Sequence, residues 1–205
     1  GDGPVLVVGL GNRAVTPDLL GPLAADHVLV TRHLVERLPD QFGQFRPVSV
    51  LTPGVLASTG LESAEIAAAV AGTVRPAAVI AIDALAARLL ERVCRTVQLS
   101  DTGIVPGSGV GNHRAALDRQ TLGSPVVSIG VPTVVDGATL ALDLLAQAGR
   151  EELEPEALCG QGADLFVTPR EIDTQVALLA RAIGYGISLA LHPGLGLSDL
   201  ELLLE

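Results

Sequence analysis

The chain has 205 residues, 48% of them hydrophobic and 2% aromatic, with a formal charge of −10 and thirteen basic residues that are all Arg. That length fits one α/β domain, residues 1–205, and a core without Met or Trp must be built from Val, Leu, Ile and Ala, which suits a parallel sheet buried on both faces. The acidic balance argues against direct nucleic-acid binding, no apolar run is long enough to span a membrane and no signal peptide is visible, and Cys94 and Cys159 lack metal spacing and are too few for a disulfide framework, the latter pointing to a reducing cytoplasm.

Strand-like runs are expected at 5–8, 48–51, 79–82, 97–99 and 126–131, with helical stretches between most of them. This is the pattern of a mostly parallel α/β sandwich. Thr16-Pro17 reads as an N-cap with Pro at the first helical position, opening a helix that settles after Gly21-Pro22 and continues toward Leu38. Thr59 with Glu62, and Thr133 with Asp136, have capping-box spacing before helices ending near Val70 and Gly149. The strongest start signal is Thr168-Pro-Arg-Glu171, before a helix reaching about Leu191 and stopping at His192-Pro193-Gly194. Residues 103–112 read as a long Gly-rich loop, residues 150–163 as an acidic surface connection, and the Leu-rich tail as a short helix.

The chemistry gathers at two strand ends. In Ala77-Ala-Val-Ile-Ala-Ile-Asp83 six apolar or small residues deliver a carboxylate, and leaving it charged in an apolar setting costs several kcal/mol unless something pairs with it. The first strand runs into Gly9-Leu-Gly-Asn12 and soon reaches Asp18. If the two strands are parallel, both acids arrive at one edge of one sheet, where ligands of such sheets bind. Each has a plainer alternative. Asp18 suits the dipole of the helix opened by Thr16, and Asp83 suits the cap of a helix starting at Ala84, with Arg88 as partner. Gly9-Leu-Gly-Asn12 alone resembles a dinucleotide turn, but the third glycine of that fingerprint is Ala14 here, and Thr16-Pro17 starts the helix too late for a phosphate turn. Asp101 reads as a turn residue holding the Gly-rich loop, Asp136 as a helix-start residue, His27 and His33 as packing or solvated positions, and His192 as a helix-end cation. His113 lies beside the loop, within reach of the acids. No serine nucleophile elbow appears, and Cys94 has no obvious base.

Longer segments carry a resemblance. Val7-Val-Gly-Leu-Gly-Asn12 with Thr16-Pro-Asp18, Ala81-Ile-Asp-Ala-Leu-Ala-Ala-Arg88, Ser100-Asp-Thr-Gly-Ile104, Pro106-Gly-Ser-Gly-Val-Gly-Asn112, Ile129-Gly-Val-Pro-Thr-Val-Val-Asp136 and Val167-Thr-Pro-Arg-Glu-Ile-Asp173 run in order along nearly the whole chain. In these the chain resembles the spore germination protease family, aspartate-dependent endopeptidases that degrade small acid-soluble spore proteins. The resemblance implies a three-layer α/β/α sandwich similar to hydrogenase maturation peptidases and a catalytic pair at Asp18 and Asp83. It also implies a zymogen precursor, a homo-oligomer, typically a tetramer, and a place in the spore core. Members carry an upstream, propeptide-bearing region that is expected to be missing here, since the chain opens just before a strand without Met.

The expected mechanism is peptide hydrolysis by the acid pair, one carboxylate ionised and one protonated, with no cofactor. Asn12, Asp101, Gly107, Gly109 and Gly111 are expected to support the loop and the substrate. Two rivals remain at this stage: a metal-centred peptidase with Asp18, Asp83 and His113 as ligands, and an inactive remnant that binds spore proteins without cutting them.

Overall fold

The computed structural model describes residues 3–107, 114–149 and 165–204. Strand β1 (Val5–Gly9) is fully buried. A 3-10 turn (Thr16–Asp18) and helix α1 (Leu20–Asp26) follow, then α2 (Arg32–Arg37), α3 (Pro39–Phe42) and β2 (Val48–Leu51). Next come α4 (Leu56–Thr59), α5 (Ser63–Val74), β3 (Ala78–Ala87) and β4 (Gln98–Ser100). The rest is α6 (Arg119–Leu122), β5 (Val126–Asp136), α7 (Gly137–Gln147), β6 (Phe166–Val167), α8 (Ile172–Leu191) and α9 (Leu197–Leu204).

The strands form one six-stranded sheet in the order β2-β1-β3-β5-β4, with β6 also pairing β5. β2, β1, β3 and β5 are mutually parallel, while β4 and β6 run antiparallel to β5. Alternation along β1 explains the layers. Val5 and Val7 face one core with Leu20 and Ala24 of α1 and Val176 and Ala180 of α8. Leu6 and Val8 face the other, with Ala64, Ala67 and Ala71 of α5 and Leu122 of α6. Helices therefore cover both faces of a mostly parallel sheet, as the alternating pattern implied.

Length and composition alone would let α8 cross a membrane, which the reading of the sequence did not credit. Its Val176, Ala180, Ile183 and Ile187 pack into the core, and Arg181 pairs with Glu201 of α9 at 3.1 Å. α8 thus lays one face on the core, while Leu178 on its other side is exposed.

Several expected boundaries shift, each for a physical reason. The first helix does not reach Leu38; it stops at Asp26. Beyond it the Leu29 N–H donates to Ser188 Oγ of α8 at 3.0 Å, and the Thr31 N–H donates to the Val48 carbonyl at 3.1 Å. The buried Thr31 also accepts from the Val48 N–H and donates to the Arg46 carbonyl, so sheet-edge bonds replace helix bonds. Thr59 closes α4 instead of opening α5. The α5 start is formed by the Glu62 N–H donating to Glu65 Oε2 at 3.0 Å. Thr133 lies within β5, and Asp136 itself caps α7, its Oδ1 accepting from the Thr139 N–H at 2.8 Å. α8 begins at Ile172, after Thr168-Pro169. The turn after β4 carries a bond between the Ser100 and Thr102 hydroxyls, 2.8 Å apart, and Asp101 is exposed there. The acidic connection 150–163 lies outside the described residues, as does the Gly-rich loop beyond Gly107.

Candidate active site

β3 decides the position of Asp83. An Ala-rich stretch after an aspartate reads equally well as a capped helix, but the strand continues through Ala87 because β5 pairs with it along its length, Asp83 opposite Gly130 and Ala84 opposite Val131. Asp83 is therefore not a helix cap. It sits one residue past Ile82, whose carbonyl accepts the Leu10 N–H at 2.8 Å and ties the end of β1 to β3. Only 4% of Asp83 is exposed, and its Oδ1 accepts from the Ala84 N–H at 2.9 Å.

Asp18 reaches the same edge by a tight loop. Gly11 takes φ +129, and a Cβ there would lie 2.0 Å from the Asp18 carbonyl oxygen, so only glycine lets the chain turn back. Asn12 Oδ1 accepts from the Ala14 N–H at 2.9 Å, and the Asn12 N–H donates to Asp18 Oδ2 at 2.8 Å. α1 then presses onto the strand ends. A Cβ on Gly21 would lie 2.2 Å from the Leu10 oxygen and 2.5 Å from the Ile82 oxygen, and one on Gly9 would lie 2.3 Å from the Gly21 oxygen. These two glycines bring the helix down on the junction of β1 and β3, and Asp18 with it.

Both acids border one cavity of about 480 Å³. Its walls are mainly apolar, with Leu10, Val15, Val55, Leu85, Val134 and Phe166 among them. Arg114 brings the one positive charge among the described lining residues. Burial, and next the negative charge of Asp18, push the Asp83 carboxyl up to about 8; the Ala84 N–H and Arg114 pull it back only in part. Burial also raises Asp18, against the lowering pull of the Asn12 N–H and Arg114. The two carboxyls are unequal in burial: Asp83 is the drier, while each accepts one backbone N–H, Asp18 from Asn12 and Asp83 from Ala84.

Gly107 lines the cavity, whereas Asp101 is not among the described residues that do so. Gly109, Gly111 and His113 lie outside the described residues. Among the described residues no group of three or more His, Cys, Asp and Glu is placed to hold a metal. Sequence reasoning missed Arg114 and the far wall at Phe166; the one available signal for Arg114 was its position immediately after the Gly-rich loop.

A solved structure with a similar chain path, a [NiFe] hydrogenase maturation protease HycI from Thermococcus kodakarensis, matches at TM-score 0.45 and 19% identity, covering 88% of this chain and 90% of that one. A likeness that loose carries nothing about chemistry. The sequence relatives are much nearer. A germination protease of Caldanaerobacter subterraneus is 47% identical, covering 100% of this chain and 71% of its own length. One from Clostridium tetani is 44% identical, covering 96% and 68%. The profile of a peptidase family described as germination protease matches residues 2–154. With that match and that identity along the chain, it belongs to the germination protease family.

Proposed function

We propose that Asp18 and Asp83 are the catalytic pair of this protease, and that it hydrolyses small acid-soluble spore proteins during spore germination. The observation that carries the reading is the meeting of two acids, one from the middle of β3 and one from the turn before α1, in one apolar cavity. Two such carboxyls cannot both ionise cheaply, so at neutral pH the pair holds one proton. Asp83, buried and raised, keeps it; Asp18, bonded to the Asn12 N–H, is the ionised partner.

Asp18 accepts a proton from a water whose oxygen attacks the scissile carbonyl carbon. The protonated Asp83 donates a hydrogen bond to the carbonyl oxygen as negative charge builds there. On collapse the C=O double bond re-forms, the C–N bond breaks, and Asp18 passes its proton to the leaving nitrogen. The products are an acid and an amine, and Asp83 retains its proton throughout. Apolar walls keep competing water away and strengthen each of these bonds. The acidic surface, net −10, suits substrates with exposed basic segments. By family likeness the active form is a homo-oligomer, typically a tetramer, made as a zymogen and working in the spore core.

Turnover of a small acid-soluble spore protein by Asp18→Asn and Asp83→Asn variants tests the pair. Each is expected to lose about 10³-fold or more in kcat. Near-normal turnover in both would end the reading.

A further inference from the structure

We propose that Arg114 is a third catalytic group, donating from its guanidinium to the scissile carbonyl oxygen beside the Asp83 hydroxyl. The inference rests on the acid-pair reading above. Arg114 borders the cavity that holds both acids. It makes no ion pair within 4.0 Å with either of them, nor with any other described residue, although its charge is felt at both. A guanidinium that lines the same cavity as two carboxyls, yet is bonded to neither, keeps its fixed fork of five donors for something else in the cavity.

Its backbone is anchored. Three residues on, Leu117 is fully buried and exchanges both backbone bonds with Ile104, 3.0 and 2.8 Å. The charged lining groups described are Asp18 from the turn before α1, Asp83 from β3 and Arg114 itself. With one proton on the pair, they sum to zero. During attack the negative charge moves from Asp18 to the carbonyl oxygen while Arg114 stays positive. A donor with no bond to Asp18 is not spent on the ground state, so the bond it forms to the oxyanion lowers the barrier.

The test uses the full chain and a peptide substrate without acidic side chains, with kcat and KM followed across pH, alongside D18N and D83N. Arg114→Gln is expected to lose about 10²–10³-fold in kcat with KM changed by less than about threefold. Arg114→Lys is expected to recover only part, and added guanidinium ion to restore part of the turnover of Arg114→Ala at unchanged Tm. Unchanged kcat in Arg114→Gln, a loss confined to KM, or full recovery of Arg114→Gln on raising the pH alone would overturn the assignment. If D83N is inactive while Arg114→Gln turns over normally, the acid pair stands and Arg114 falls. If D18N and D83N both turn over normally, both readings fall.

Discussion

Asp83→Asn is expected to abolish hydrolysis and at the same time make the protein more stable. Asn keeps the acceptor for the Ala84 N–H but removes a carboxyl that must either be protonated or carry charge in an apolar wall. The sign follows from the direction of the shift. Asp83 is raised from an ordinary value of 3.8 to about 8 in the fold, so its contribution to stability is fully present below pH 3.8 and is lost as pH rises through about 8. The Tm of the variant and the wild type should therefore nearly coincide near pH 4, separate steadily as pH rises, and differ most at pH 8 and above. The difference there is expected to be on the order of 5 kcal/mol, about four pKa units at about 1.4 kcal/mol each, or a rise in Tm of about 10 °C or more. Thermal melts at several pH values check it. A variant destabilised at pH 8, or a difference independent of pH, would mean that Asp83 is not held as a buried acid.

Gly21→Ala is expected to damage fold and activity together. The added Cβ meets backbone on both strands, Leu10 O at 2.2 Å, Ile82 O at 2.5 Å and Leu10 N at 2.6 Å, so no side-chain rotation relieves it. α1 has to lift from the sheet, at a cost of roughly 1–3 kcal/mol and about 5 °C in Tm. The turn carrying Asp18 leads directly into α1, so the same lift withdraws Asp18 from Asp83. A misplacement on the order of 1 Å costs about 10²-fold in rate. A Gly21→Ala protein with wild-type Tm and turnover would show that the helix does not set the spacing of the acids.

Much of this arrangement was legible in the sequence because parallel strands buried on both faces read as unbroken apolar runs. Val5 to Val8 and Val126 to Val131 fall within observed strands for that reason. Asp83 was legible as a charge that such a run cannot hide, and Asp18 as the next acid beyond the first strand. The failures occurred where local sequence is neutral and a distant partner decides. Ala84 to Ala87 serve a helix or a strand equally well, and only pairing with β5 makes them strand. Residues 27–31 leave the helix because Ser188 and Val48 claim the Leu29 and Thr31 N–H groups, and those partners lie far along the chain. Arg114 was missed for a related reason: its effect on the acids is a long-range charge with no motif of its own.

The most direct test of the shared-proton pair is an infrared titration of Asp83, taken as the wild-type spectrum minus that of Asp83→Asn, with kcat/KM measured on the same samples. A protonated carboxyl should be present at neutral pH and disappear near pH 8, with kcat/KM falling over the same range. An ionised Asp83 at neutral pH in a fully active enzyme would contradict the account.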